Sequence, residues 1–299
     1  MTGAASFRAL LEGPELVFLM EAHDGLSARI AEVEGFQAIW ASGFSVSTAL
    51  GLRDNEEASW SQLLFVVECM IDAVSIPIVV DGDTGHGNFN TARRFLRKAE
   101  RLGAAGVCFE DKVFPKLNSF VGDDHELADV DEFCGKLEAC KAAQEDEDFC
   151  VVARTETLIA GRSLEEALER AEAYRQAGAD AIFIHSRQRD ADEVTAFARA
   201  WGGRLPIVIA PTTYAATPAD VFRRCGIGVV IWGNQSMRAA VTAMRRACRE
   251  IRRRETPSGA DVDLAPLDEI FELLRYDELA ASERRFSSPS RYAEARSGR

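Results

Sequence analysis

Short apolar runs alternate along most of this chain with longer stretches of helical period. The apolar runs fall at 16–20, 38–41, 76–81, 106–110, 149–153, 181–185, 206–210 and 228–232. Most are continuous rather than in–out alternating, so they predict strands buried on both faces. Between them, stretches at 26–34, 59–73, 89–102, 129–144, 163–177, 190–201, 217–225 and 235–255 predict amphipathic helices. Helix-to-strand junctions are marked by glycine: Gly178 precedes one strand, and Gly103-Ala104-Ala105-Gly106 leads into another.

Eight β-then-α units predict a (β/α)8 TIM-type barrel, read as a single domain over residues 1–299. An open doubly wound sheet would show fewer strands and a glycine-rich phosphate turn after the first. A barrel carries its chemistry at the C-terminal ends of its strands. Those ends run in order into Glu21, His23 and Asp24; Ser42-Gly43-Phe44-Ser45; Asp81 and Asp83; Glu110-Asp111-Lys112; Arg154 and Glu156; His185-Ser186-Arg187; Thr212-Thr213; and Asn234-Gln235. A polar group after every strand is more than a purely structural barrel requires. The aperiodic segment 112–129, with Lys116, Asn118 and Ser119, reads as a lid, the plainer alternative being a solvated connector. The helical pattern stops at Thr256-Pro257-Ser258-Gly259, so 256–299 reads as a C-terminal extension with a short amphipathic stretch at 264–274 and a frayed tail from 287.

Composition narrows the partners. The 299 residues are 47% hydrophobic and 28% charged, ordinary for a globular protein. The net charge of −13 argues against nucleic acid or an anionic membrane surface as partner. No apolar run has the length of a membrane span and no signal-peptide pattern opens the chain, so a cytoplasmic protein is expected. Cys69, Cys108, Cys134, Cys140, Cys150, Cys225 and Cys248 show no C-x-x-C pairing and are expected as reduced core residues.

Asp81 and Asp83 close an apolar strand one residue apart. They read as a helix cap with a turn acid, or as ligands of a cation that relieves their repulsion. With Glu110 they make an all-oxygen set, which favours a hard cation, Mg²⁺ best. Arg154 offers a planar fork for an anion, and His185 beside it reads as a core histidine or a second anion contact. Ser42-Gly43 reads equally as an ordinary turn or as a nest for a carboxylate, and Asp54 by itself reads as a loop turn residue. A cation, an arginine and a lysine-bearing lid imply a small, doubly anionic substrate: a phosphorylated or dicarboxylic 2-oxo acid or enol.

Several of these stretches resemble the phosphoenolpyruvate mutase branch of the isocitrate lyase superfamily. They are Glu21-Ala22-His23-Asp24-Gly25-Leu26-Ser27-Ala28, Ile39-Trp40-Ala41-Ser42-Gly43-Phe44-Ser45, Asp54 through Trp60, Asp81-Gly82-Asp83-Thr84-Gly85, Glu110-Asp111-Lys112-Val113-Phe114-Pro115-Lys116-Leu117-Asn118-Ser119, Ala153-Arg154-Thr155-Glu156 and Ile184-His185-Ser186. The resemblance covers nearly all of 15–285. It implies a barrel whose C-terminal helix is swapped between subunits, in a homotetramer built as a dimer of dimers. It implies Mg²⁺ on Asp81, with Asp83 and Glu110 acting partly through water. Positions matching Trp40, Ser42, Gly43 and Phe44 surround the pyruvyl portion, and Phe120 joins the substrate set. Arg154 contacts anionic oxygens; His185, Lys116, Asn118 and Ser119 serve the phosphoryl group; Asp54 sits beside the transferring phosphorus. The activity implied is that of an isomerase interconverting phosphoenolpyruvate and phosphonopyruvate.

Within that resemblance the lid separates the branches. Lyases carry a Lys-Lys-Cys-Gly-His motif, which is missing here. Phosphonopyruvate hydrolases tend to carry threonine where this chain has Asn118, which favours the mutase. Carboxyphosphoenolpyruvate mutases, another 2-oxo acid lyase, or a catalytically silent scaffold are the remaining alternatives. His86 stands where an aromatic is more usual, Thr155 where an aliphatic residue is common, and Phe44 and Phe120 where leucine is frequent.

Overall fold

All eight apolar runs become strands, and each pairs in parallel with the next. The computed structural model describes residues 2–257 and 264–287. Its elements run α1(Gly3–Glu12), β1(Val17–Ala22), α2(Gly25–Val33), β2(Ala38–Ala41), α3(Gly43–Ala49), α4(Trp60–Ala73), β3(Ile78–Asp81), α5(Phe89–Leu102), β4(Gly106–Glu110) and α6(Val130–Lys141). They continue as β5(Cys150–Thr155), α7(Leu164–Gln176), β6(Ala181–Ile184), α8(Asp192–Trp201), β7(Ile207–Ile209), α9(Ala219–Arg224), β8(Val229–Trp232), α10(Gln235–Arg254), α11(Leu267–Leu273) and α12(Tyr276–Phe286). The sheet closes in sequence order, β8 returning to β1 with Val17 opposite Val229.

The strands divide their side chains by twos, as the pleat requires. Trp40, Val79, Cys108, Val152, Phe183, Val208 and Ile231 fill the barrel interior. Their neighbours Ile39, Val80, Val107, Val151, Ile182, Ile209 and Val230 face the helices, where Phe95, Phe133, Tyr174, Phe197 and Trp201 cover them. Both faces of most strands are therefore dry, β1 leaving Phe18 and Met20 half-buried on one face, which is why most runs read as continuous rather than alternating.

Several boundaries move, and three helices go beyond the sequence reading. β1 extends to Ala22 and β5 to Thr155, because the neighbouring strands supply ladder partners that a single sequence does not reveal. α3 begins directly after Ser42, whose hydroxyl accepts from the Ser45 N–H, so Ser42 is a helix cap rather than a plain turn. α1 is capped by Thr2 and α12 opens after Arg275. The expectation that the cysteines are core residues needs correction. All seven are free, and Cys108, Cys140 and Cys150 are buried, but Cys69 and Cys248 sit on outward helix positions and are exposed.

The chain forms two compact units, Met1–Ala240 and Val241–Arg299. The first contains the barrel. The second holds the remainder of α10 with α11 and α12, where the rings of Phe271 and Tyr276 meet at 4.9 Å. The stretch read at 264–274 contains α11. The frayed tail read from 287 lies, after that residue, outside the described residues.

Gly106 shows how closely the strands approach. A Cβ there would stand 2.6 Å from the carbonyl oxygen of Cys150 on the paired strand. Since that neighbour is backbone, it cannot turn aside. Gly106→Ala is expected to lower the unfolding free energy by about 1–3 kcal/mol in urea titrations. Unchanged stability would show that β4 and β5 part more easily than their register implies.

Candidate active site

The barrel interior leads straight into the site. Two residues beyond each interior side chain, on the same face, the chain turns polar: Trp40 is followed by Ser42, Val79 by Asp81, Cys108 by Glu110, Val152 by Arg154 and Phe183 by His185. Ser42, Asp81, Arg154 and His185 line a cavity of about 70 Å³ at the strand ends. Trp40, Ser42 and Phe44 form one wall, Asp54 and Asp81 another. Lys116, Asn118, Ser119 and Phe120 join from the lid segment, and Arg154 and His185 from β5 and the end of β6. Phe183, Thr212, Ile231 and Asn234 complete the lining.

Asp81, Asp83 and Glu110 are all buried. The N–H of Gly43 donates to Asp81 Oδ2 at 3.2 Å, and the Asp83 N–H donates weakly to Asp81 Oδ1 at 3.4 Å. A Cβ on Gly43 would stand 3.0 Å from Asp83 Oδ1 and 3.3 Å from Asp81 Oδ2, so glycine leaves room for both carboxyls. Burial pushes the Asp81 carboxyl up and the Asp83 carboxyl well up, against the pull of Lys116. Both Glu110 oxygens are buried without a hydrogen bond, with Arg154 Nε 3.4 Å and Lys112 Nζ 3.9 Å away. Orphaned carboxylate oxygens in a dry site suit a hard cation, so this donor set fits one. A second group shares Asp83: the ligand atoms of Glu56, Asp83 and His86 lie within 4.8 Å of one another. Burial pulls His86 down to about 4, leaving its ring neutral.

Lys116 joins the lid to the floor. Its ammonium is 2.9 Å from Asp54 Oδ1 and 2.7 Å from Asp83 Oδ1. Asn118 Nδ2 donates to the other Asp54 oxygen at 2.6 Å. Although burial opposes it, Lys116 holds Asp54 below the usual carboxylate range, and the surrounding acids hold Lys116 well above the usual lysine range. Asp54 is thus ionised and aimed at the cavity, not a loop turn residue facing solvent.

Arg154 and His185 meet at a residue that the sequence shows only as one more strand-end acid. Glu156 Oε1 accepts from Arg154 Nε at 2.5 Å and lies 2.9 Å from His185 Nδ1. Its Oε2 accepts from the Ser119 hydroxyl at 2.6 Å and faces the Lys112 ammonium at 3.0 Å. Despite burial, Arg154 and then Lys112 hold Glu156 well below the carboxylate range. Burial lowers His185, so its ring is neutral and one nitrogen remains a donor or acceptor by tautomer. The Arg154 guanidinium also lies over the Phe183 ring at 5.0 Å, and Phe120 meets His185 edge-on at 5.5 Å. Behind them, buried Asp111 accepts from Tyr174 Oη at 2.6 Å and from the Glu156 N–H at 2.7 Å, fixing the end of β5.

The structure therefore gathers the candidates from the sequence at one strand-end site, with Gly43, Asp83 and Glu110 outside the cavity lining itself. Lys112, Glu156, Phe183 and Glu56 are its unforeseen members. The first two carried a signal in their strand-end position. Glu56 carried none beyond its place near Asp54.

The family model described as phosphoenolpyruvate phosphomutase matches residues 7–252. The phosphoenolpyruvate phosphomutase of Streptomyces hygroscopicus is 58% identical over 277 residues, covering 92% of this chain and 88% of its own. The crystal structure of phosphoenolpyruvate phosphomutase from Streptomyces platensis subsp. rosaceus superposes with a TM-score of 0.93 at 42% identity, covering 96% of this chain and 100% of its own. A phosphonopyruvate hydrolase solved with oxalate and Mg²⁺ gives 0.90 at 39% identity, again over 96% and 100%.

Burial pushes the Asp81 and Asp83 carboxyls up, so a cation binding here competes with protons for them. Calorimetric titration of Mg²⁺ in two buffers of different ionisation enthalpy is expected to show net proton release, with affinity rising as pH rises. Heats that do not change with buffer would contradict this assignment.

Proposed function

We propose that this chain, which belongs to the phosphoenolpyruvate phosphomutase family, interconverts phosphoenolpyruvate and phosphonopyruvate. The phosphoryl group leaves the enol oxygen as that P–O bond breaks, and a P–C bond forms to carbon 3. No electrons or protons are gained or lost overall.

The observation that carries this reading is the closed mouth. Lys116 and Asn118 rest on Asp54 while Ser119 rests on Glu156, so the lid covers the small cavity. Water competes for the same phosphorus, and its exclusion separates a mutase from a hydrolase. Asn118 is held by its bond to Asp54, where the hydrolase branch tends to carry threonine. The 58% identity to a mutase points the same way.

The residues divide the work. Asp81, with Asp83 and Glu110, would hold Mg²⁺, which supplies positive charge to the enolate and carboxylate oxygens. The hydrolase solved with Mg²⁺ supports that choice of ion. Arg154, made rigid by Glu156, stabilises the enolate oxygen as charge develops. Neutral His185, with Lys116, Asn118 and Ser119, binds the phosphoryl oxygens while the enolate presents its carbon. Trp40, Ser42, Gly43, Phe44 and Phe120 shape the space around the three-carbon skeleton. Asp54, ionised beside the phosphorus, serves as covalent acceptor or as guide for a metaphosphate-like species.

The same reading keeps the chain as one barrel domain with the lid at 112–129 and an extension at 256–299. It also places it in the cytoplasm as a homotetramer of helix-swapped dimers. Exposed Leu26, Ile30 and Val33 on α2 and Phe65 on α4 support a covered surface of that kind. No helix among the described residues is long and apolar enough to cross a membrane.

With phosphonopyruvate and Mg²⁺, phosphorus NMR is expected to show phosphoenolpyruvate accumulating, since the P–C bond is the weaker. Inorganic phosphate instead would mean a hydrolase, and no change would defeat both readings. Asp54→Ala should lower kcat by about 10²–10³-fold or more; wild-type turnover would remove Asp54 from the mechanism. Asn118→Thr should raise the share of phosphate, and an unchanged product ratio would count against the mutase assignment.

A further inference from the structure

Glu56 occupies an expensive position. Its backbone is left-handed at φ 61°, and its carboxyl is buried among other acids, with 2% of the side chain exposed. An uncovered turn would favour glycine or asparagine here, and burial of a further acid in a chain of net charge −13 adds to the cost. A costly residue that persists calls for a function beyond the turn.

Its contacts supply one. Oε2 accepts from the backbone N–H of Lys116 at 3.3 Å, and Oε1 accepts from the Thr84 hydroxyl at 2.8 Å. His86 Nδ1 stands 3.7 Å from Oε1. One carboxyl thus connects the loop carrying Asp54, the loop carrying Asp83 and the lid. The lid's contacts with Asp54, Asp83 and Glu156 run through Lys116 Nζ, Asn118 and Ser119, side chains that must turn to the phosphoryl group when substrate arrives. The bond from Glu56 is to main chain and has no such competing task.

We propose that Glu56 is a positioning residue that latches the lid by the Lys116 backbone, keeping water out while the Lys116 side chain changes partners. The proposal rests on the mutase reading above. Glu56 touches no reacting atom, so its loss should alter the product ratio more than substrate affinity.

The test compares Glu56→Ala and Glu56→Gln, with phosphonopyruvate and Mg²⁺, by phosphorus NMR and by hydrogen exchange of the 112–129 peptide. For Glu56→Ala, the phosphate released per isomerisation should rise on the order of tenfold with KM nearly unchanged. The lid should exchange faster while the strands keep wild-type protection. Glu56→Gln keeps an oxygen that accepts from the Lys116 N–H and should stay within about threefold of wild type. If the alanine variant does not fold, Glu56→Asp, one methylene shorter, should shift the ratio in the same direction. Wild-type product ratio and lid exchange in Glu56→Ala would overturn the latch, as would faster exchange spread evenly over the barrel. A wild-type chain that releases only phosphate would instead overturn the mutase reading, and lid exchange alone would then decide the latch.

Discussion

The site depends on one buried ammonium. Lys116 places a positive charge between Asp54 and Asp83, on a loop that Asn118, Ser119 and the Lys116 N–H also tie to buried acids. Removing such a charge from water costs several kcal/mol, and only close, correctly placed carboxylates return it. The lid's closed position and the ionised state of Asp54 are therefore parts of a single balance. What Lys116 does not neutralise remains on the far side, at Asp81, Glu110 and the second oxygen of Asp83. That residual negative charge is the reason to place a cation there.

A barrel is suited to holding so much charge in so small a space. The interior row of each strand is apolar until its last turn and then polar, so each charged group stands on a rigid, fully hydrogen-bonded base. Glu110, Arg154 and Phe183 are register partners on neighbouring strands, which fixes their spacing without help from any loop. Loops then add what must move: Asp54 from one side, Lys116 to Ser119 from above. Glu156 couples the two classes. It holds Arg154 and His185 on the strands and Ser119 and Lys112 at the lid, so closure and the set of the anion-binding groups are linked.

The barrel was legible because strands dry on both faces leave unbroken apolar runs, and polar residues stand out where those runs end. Asp81, Asp83, Glu110, Arg154 and His185 were found by that contrast alone. Asp54 was not: as a loop acid it looks like any turn residue, and only the resemblance drew it in. α3 escaped because it starts inside what reads as a strand-end turn, and seven residues are too few to show a period. Pairings such as Glu56 with Lys116 join residues 60 apart in sequence, and nothing local announces them. His86 was legible only as a departure from an aromatic; its neighbour Glu56 gives that departure a structural setting.

Two acidic groups share Asp83, one with Asp81 and Glu110 and one with Glu56 and His86, and the first is the proposed cation seat. Crystals soaked in Mn²⁺, a detectable stand-in for Mg²⁺, would locate the ion by anomalous scattering. The peak is expected against Asp81 on the cavity side, within reach of Asp83 and Glu110 directly or through water. A peak between Glu56 and His86, or none at the strand ends, would contradict that seat.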